Sequence, residues 1–286
     1  MTPDWTTLVQ AEELAAALGR ADLAVVDCRH SLADPDAGAR DYSDGHVPGA
    51  VHADMDRDLS GTAPAGSGAG RHPWPDAAEL CRRLGAWGIS PRHQVVAYDA
   101  GDGAFAARLW FLLHTLGHRR VAVLDGGCAR WCALGLPRES SVPVPVAVDF
   151  PAAAFDAVRL LDAPQVQAHL ERGNLLLDAR AGERFRGEVE PIDRVAGHVP
   201  GATSRPYADN LIDGRFKSAA RLRTEFERAL RGSGPADAAA MCGSGVTACH
   251  HLLAMTHAGL PGARLYTGSW SGWIEDPARP VAIGDA

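Results

Sequence analysis

No apolar run in this 286-residue chain approaches the length of a membrane span, so an integral membrane helix is not expected. The opening Met1-Thr2-Pro3-Asp4-Trp5 lacks the basic start and apolar stretch of a secretory leader. Cysteine is scarce as well. Six thiols in a chain this long are too sparse for a disulfide scaffold, which points to reduced cysteines and a cytoplasmic protein. Cys128 and Cys132 stand as C-x-x-x-C, not the C-x-x-C of redox and zinc sites, and Cys249-His250-His251 lacks convincing ligand spacing. No metal is therefore expected. A basic excess is also missing: the formal net charge is -7 with both signs mixed, which argues against a nucleic-acid scaffold. The length allows a large core and two domains.

The two halves echo each other. Val25-Val26-Asp27-Cys28-Arg29 returns as Leu176-Leu177-Asp178-Ala179-Arg180, and Gly45-His46-Val47-Pro48-Gly49-Ala50 as Gly197-His198-Val199-Pro200-Gly201-Ala202. Asp125-Gly126-Gly127 with Trp131 returns as Thr267-Gly268-Ser269 with Trp273. The offset is 151 at Asp27/Asp178, 152 at His46/His198 and 142 at the last two pairs, the mark of a duplicated domain with one stepped insertion. The extra residues of the first copy fall in the Gly/Ala/Pro-rich stretch from Ser60 to Pro75. Short apolar runs (Leu23 to Asp27, Gln94 to Tyr98, Val121 to Leu124) alternate with helical patterns (Ala11 to Leu18, Ala77 to Leu84, Phe105 to Leu116). That alternation predicts an α/β fold of two tandem domains, each a mainly parallel sheet with helices on both faces. Four prolines between Pro137 and Pro151 read as a linker, giving domains at 1–137 and 152–286 joined by 138–151.

The most informative stretch is Met241-Cys242-Gly243-Ser244-Gly245-Val246-Thr247-Ala248. An apolar run ends on Cys242, a glycine-rich loop follows, and a helical pattern begins at Val246. Strand, tight loop and helix start gather backbone N–H groups that stabilise an anion, and a thiolate is an anion. The competing reading is a cysteine used as a small buried hydrophobe, which fits Cys28, Cys81, Cys128, Cys132 and Cys249 in or beside apolar segments. The duplication separates the two readings. Ala97-Tyr98-Asp99 occupies the place of Ala240-Met241-Cys242, so the first copy offers aspartate where the second offers cysteine. One copy looks catalytic and the other supporting. A cysteine-dependent phosphatase resembles this arrangement but needs an arginine at the sixth residue after the cysteine, where this chain has Ala248.

Sulfur transfer remains, and here the Cys242-Gly243-Ser244-Gly245-Val246-Thr247-Ala248 loop is similar to the active-site loop of 3-mercaptopyruvate sulfurtransferases in the rhodanese superfamily. The repeated Gly-His-Val-Pro-Gly, Asp125-Gly126-Gly127 and Gly268-Ser269-Trp270 extend the resemblance over nearly the whole chain. The resemblance implies a tandem rhodanese fold and transfer of sulfur from 3-mercaptopyruvate, through a Cys242 persulfide held by N–H groups of Gly243, Gly245, Val246 and Thr247, to a thiol such as thioredoxin or glutathione, or to cyanide. It implies no cofactor and no metal. Related thiosulfate sulfurtransferases put Arg and Lys after the cysteine; Gly243 and Ser244 stand here, so thiosulfate is the second donor in line. By the same resemblance Arg184 holds the substrate carboxylate, with Arg194 as the nearest second candidate and Arg186 behind it. It also implies a Ser244, His72 and Asp56 relay, with Asp54 as the alternative to Asp56. His46, His198, Asp27 and Asp178 recur in the copy without a cysteine and read as structural. Trp270 and Trp273 fit either a site wall or a core. A non-catalytic binding or redox-sensing module is the rival class, weighed against by the intact loop.

Overall fold

The computed structural model describes residues 4–285. Two compact units divide the chain. The first runs through Gly61 and adds Pro75–Asp156 and Asp213–Arg215; the second holds Thr62–Trp74, Ala157–Ile212 and Phe216 onward. The boundary therefore differs from the sequence reading in one instructive way. The insertion of the first repeat, residues 62–74, packs within the second unit. Residues 138–156 form no helix or strand and lie along unit 1, where Glu139 exchanges backbone hydrogen bonds with His46 and Val148 N–H donates to Gly85 O.

Unit 1 builds β1 (Leu8–Val9), α1 (Ala11–Ala17), β2 (Leu23–Asp27), α2 (Ala37–Asp44), β3 (Val51–His52), α3 (Ala77–Ala86), β4 (Gln94–Tyr98), α4 (Ala106–Thr115), β5 (Val121–Leu124) and α5 (Gly127–Ala133). Its five strands are parallel in the order β1-β5-β4-β2-β3. Every residue of β4 and β5 is buried, because helices cover both faces of a parallel sheet and leave no wet side. The three helices and three strands read from periodicity all form, within two residues at each end.

Unit 2 repeats the plan with β6 (Leu160–Leu161), α6 (Ala163–Glu171), β7 (Leu175–Asp178), α7 (Gly182–Phe185) and β8 (Ala202–Ser204). A short ribbon of β9 (Leu211–Ile212) and β10 (Arg215–Phe216) and then α8 (Ala219–Leu230) follow. The unit closes with β11 (Ala238–Met241), α9 (Thr247–His257), β12 (Arg264–Tyr266) and α10 (Ser269–Trp273). The parallel order β6-β12-β11-β7-β8 is that of unit 1, strand for strand. A reciprocal box starts α6: Asp162 accepts from Gln165 N–H while Gln165 accepts from Asp162 N–H.

Register puts Asp27 opposite Tyr98 and Asp178 opposite Met241. Asp99 and Cys242 thus leave the carboxyl ends of equivalent central strands, as their offset of 143 requires. The strand-end aspartates are structural. Asp27 is buried and paired with Arg29 at 2.6 Å, Asp178 likewise with Arg180 at 2.7 Å, and each arginine also donates to the carbonyl of the glycine before the repeated histidine. His46 Nδ1 lies 2.8 Å from Tyr42 O with the two rings stacked, and His198 Nδ1 lies 2.8 Å from Phe185 O, again stacked. Trp270 and Trp273 are core residues, their indole N–H groups donated to Val195 O and Pro280 O. Of the cysteines expected in apolar settings, Cys132 departs: it is exposed, because it falls on the outer side of α5.

Asp99 fills its own loop. Oδ1 accepts from the N–H groups of Gly101 and Gly103, and Oδ2 from those of Phe105 and Ala106, at 2.9–3.2 Å. Complete burial nonetheless pushes its carboxyl up to about 6, helped by the charge of Asp102 and opposed by these N–H donors. A raised folded-state value means stability present at low pH and withdrawn as pH rises towards about 6. Urea melts of the wild type and Asp99→Asn should therefore show their stability difference shift against the wild type between about pH 4 and pH 6 and level off above. A difference flat across that window contradicts the assignment.

Candidate active site

Unit 2 assembles its site at the carboxyl edge of neighbouring strands, where ligands of open parallel sheets sit. β11 ends at Met241 and delivers Cys242, which is 2% exposed. Gly245, at φ +79°, turns its N–H onto Cys242 Sγ at 3.1 Å. α9 then starts at Thr247 without a side-chain cap, so its first-turn N–H groups add positive potential beside the loop. Cys249, one turn along α9, donates its thiol to Gly245 O at 3.3 Å and holds the loop from behind.

Ser269 supports the cysteine from α10. It takes the left-handed conformation, φ +49°, that its unit 1 counterpart Gly127 also adopts at φ +52°. A serine in that region costs energy, and its hydroxyl shows what the cost secures. Oγ accepts the Cys242 N–H at 3.1 Å and donates to Tyr266 O at 3.0 Å. Backbone bonds from Trp270 N–H to Cys242 O and from Ser271 N–H to Gly243 O complete the bracing.

The segment 62–74 closes over this loop. Glu275 accepts Gly68 N–H and Gly70 N–H, one on each carboxylate oxygen, at 2.8 and 3.1 Å, and Ser271 Oγ accepts Arg71 N–H at 3.0 Å. The fit is backbone on backbone: a Cβ at Gly70 would lie 2.4 Å from Gly268 O, and one at Gly272 would lie 2.3 Å from Gly68 O. This docking delivers His72, buried, with Nδ1 2.7 Å from Ser244 Oγ. Ser244, two residues after Cys242, and His72 are thereby brought together within unit 2, whereas the sequence reading put His72 in the first domain.

The expected arginines separate. Arg184, on α7 after the neighbouring strand β7, approaches the loop: a Cβ at Gly243 would lie 3.6 Å from its Nη1. Its Nη2 pairs with Glu190 at 2.7 Å and with Asp193 at 3.0 Å. Burial favours a neutral Glu190, but the Arg184 guanidinium and the N–H groups of Asp193 and Ile192 hold its carboxyl below the usual range. Arg186 instead pairs with exposed Glu188, and Arg194 donates to Ile274 O. Neither is among the groups nearest Gly243; the second guanidinium there is Arg71, which would stand 3.3 Å from a Gly243 Cβ. Asp54 lies in unit 1 with its carboxylate spent on its own turn, on the Asp56 and Arg57 N–H groups and the Arg57 side chain. Asp56 is an exposed residue of that unit. Arg71, Glu190, Asp193, Ser269 and Glu275 carry weight that sequence reading did not give them; Arg71, next to His72, and Ser269, within Gly268-Ser269-Trp270, had a signal in the sequence.

The family of the rhodanese-like domain matches residues 10–134 and 162–276. A Pseudomonas aeruginosa protein named "Probable 3-mercaptopyruvate sulfurtransferase" is 54% identical over 282 residues, covering 97% of this chain and 98% of its own. A Mycobacterium tuberculosis protein with the provisional name thiosulfate sulfurtransferase SseB is 38% identical over 286 residues, with 98% of each covered. Among solved structures, a 3-mercaptopyruvate sulfurtransferase from Leishmania major superposes with a TM-score of 0.81 at 33% identity, covering 93% of this chain and 73% of that one. The chain belongs to the rhodanese family, as a tandem of two such domains. No helix among the described residues is long and apolar enough to cross a membrane.

The docking of 62–74 is testable without any assay. A carboxylate accepting two N–H groups contributes roughly 1.5–3 kcal/mol per bond. Glu275→Gln should raise hydrogen exchange at the Gly68 and Gly70 amides about tenfold or more, while amides of β11 exchange as before. Unchanged exchange at both glycines rejects the staple.

Proposed function

We propose that this chain is a sulfurtransferase that takes sulfur from 3-mercaptopyruvate onto Cys242 and releases pyruvate. The observation that carries the reading is the Cys242 sulfur itself, buried at the head of α9 and accepting the Gly245 N–H. The Cys242 thiolate attacks the donor sulfur and an S–S bond forms. The C–S bond breaks with its electron pair on carbon, and the resulting pyruvate enolate takes up a proton. Ser244 and His72, their Oγ and Nδ1 atoms 2.7 Å apart, manage that proton. The Cys242 persulfide is stabilised by the Gly245 N–H and by those of Gly243, Val246 and Thr247 around it. A thiol then removes the outer sulfur, thioredoxin and glutathione being the natural class of acceptor and cyanide a laboratory one. All six cysteines are unpaired, so Cys242 is free to react.

Arg184 binds the donor carboxylate, since a guanidinium fork matches that geometry. The same positive group favours a second reading, thiosulfate as donor. Glu190 and Asp193 weigh against it: they neutralise the arginine side chains locally, and a dianion gains less there than a single carboxylate that needs only a directed pair of N–H groups.

Intact mass after addition of 3-mercaptopyruvate, with pyruvate assayed in parallel, tests the reading. One added sulfur and one pyruvate per chain are expected, both lost in Cys242→Ser. His72→Gln should slow the transfer about 100-fold. Protein that gains no sulfur and yields no pyruvate rejects the proposal; sulfite from thiosulfate outpacing pyruvate selects the second donor.

A further inference from the structure

Cys128 and Cys132 have no role in the sulfur transfer proposed above, and their C-x-x-x-C spacing is not that of a redox loop. The fold gives the spacing another meaning. Residues four apart share one face of α5, so the two thiols meet, with their Sγ atoms 3.9 Å apart. The two members of the pair differ. Cys128 is 8% exposed and its backbone is pinned: its N–H donates to Asp99 O at 2.8 Å, and that of Ala129 to Ala100 O at 2.9 Å. Cys132 is exposed and stands in the last turn of the helix. That turn is held by Leu134 N–H to Arg130 O, Gly135 N–H to Cys132 O and Leu136 N–H to Trp131 O, at 2.9–3.3 Å. Gly135 takes φ +65°, with nothing within 4 Å of where a Cβ would stand. One thiol is therefore fixed and sheltered, the other accessible and able to move. Burial pushes the Cys128 thiol up to about 11, against the Arg29 guanidinium and with help from Cys132, so Cys128 stays protonated while Cys132 meets solvent.

We infer that Cys128 and Cys132 form a reversible dithiol–disulfide site, and that its closure unwinds the last turn of α5. Four residues of helix separate two Cα atoms by about 6 Å, inside the range of roughly 4.4–6.8 Å that a disulfide spans. The Cβ atoms, about 5–6 Å apart on a helix, must come to roughly 3.5–4.5 Å. The bond and the intact turn thus exclude one another, and the part that yields is the turn ending at Gly135. A peroxide is the class of oxidant. The Cys132 thiolate attacks one oxygen of hydrogen peroxide, the O–O bond breaks, and Cys132 sulfenic acid and hydroxide result. The Cys128 sulfur then attacks the Cys132 sulfur. The S–S bond forms, the S–O bond breaks, and the Cys128 proton leaves with that oxygen as water. Two electrons pass from the thiols to the peroxide. A small dithiol reverses the change by exchange. The site stands independently of the sulfur-transfer reading.

Arg130 lies between the two cysteines, which makes the test direct. Trypsin separates them onto peptides 121–130 and 131–138, and only a disulfide keeps these joined. The full chain carrying Cys242→Ser, so that the loop cysteine consumes no peroxide, is treated with a small excess of hydrogen peroxide under native conditions, alkylated and digested. The joined pair should appear in a chain whose intact mass is lower by two hydrogens, and dithiothreitol before alkylation should abolish it. Hydrogen exchange at the Leu134, Gly135 and Leu136 amides should rise about tenfold or more in the oxidised chain, with the amides of β4 unchanged. Cys128→Ser in the same background should leave Cys132 to climb to the sulfinic acid, read as two added oxygens. Four results overturn the inference. Cys132 stays reduced; or it reaches the sulfinic acid with Cys128 present; or the peptides join only between two chains, read as a doubled intact mass; or they join within one chain while the three amides exchange as before.

Discussion

A single carboxylate decides whether this site exists. Glu275 receives the N–H groups of Gly68 and Gly70 and so clasps an irregular segment, written in the first repeat, onto the second unit. Nothing in 62–74 forms a helix or strand that would hold it there on its own. The contact works because three glycines, 70, 268 and 272, let two stretches of backbone approach closer than side chains permit. His72 and Arg71 follow from that approach. So does the reach of Ser244, whose hydroxyl would otherwise lack its histidine partner.

Charge is distributed on the same plan of mutual restraint. Arg180 is neutralised by Asp178, Arg184 by Glu190 and Asp193, and Arg71 by Asp193 again. Buried charges of this kind contribute little net stability, because desolvation cancels much of the attraction. Their effect is orientation. Each guanidinium has ends committed to acids within the unit, and what is left over points where the chain permits. Trp270 seals the group from below, under the Arg180 guanidinium at 4.8 Å.

Much of this was legible in the residues. The alternating apolar and helical patterns yield the observed elements because a parallel sheet covered on both faces imposes continuous apolar strands, as in β4 and β11. The repeat offset locates Asp99 and Cys242 at equivalent strand ends because register is inherited with the duplicated unit. Cys242, Ser244, His72 and Arg184 could be picked out because they sit in stretches of distinctive local sequence. The assignment of 62–74 to the second unit could not, since it depends on glycine-to-glycine approach over about 200 residues of chain separation, and no local pattern encodes a distant backbone contact. Arg194 misleads for a related reason: a charged residue near the right place in sequence turned to a backbone carbonyl that only the folded α10 end presents. Ser269 was visible as part of a motif, but its hydroxyl under the cysteine follows from a left-handed φ that sequence does not display.

The Asp99 loop of unit 1 carries a consequence for how such tandem proteins persist. Its four N–H donors are already occupied by a carboxylate that is part of the chain, so the ligand of this loop can never diffuse away. A tethered anion has an effective concentration no free metabolite matches. The loop is therefore closed to competitors without any lid, and it keeps its shape with no selection for catalysis. A duplicated domain released from chemistry can in this way become permanent scaffolding through one side chain, whose own group stands in for the substrate its twin must wait for.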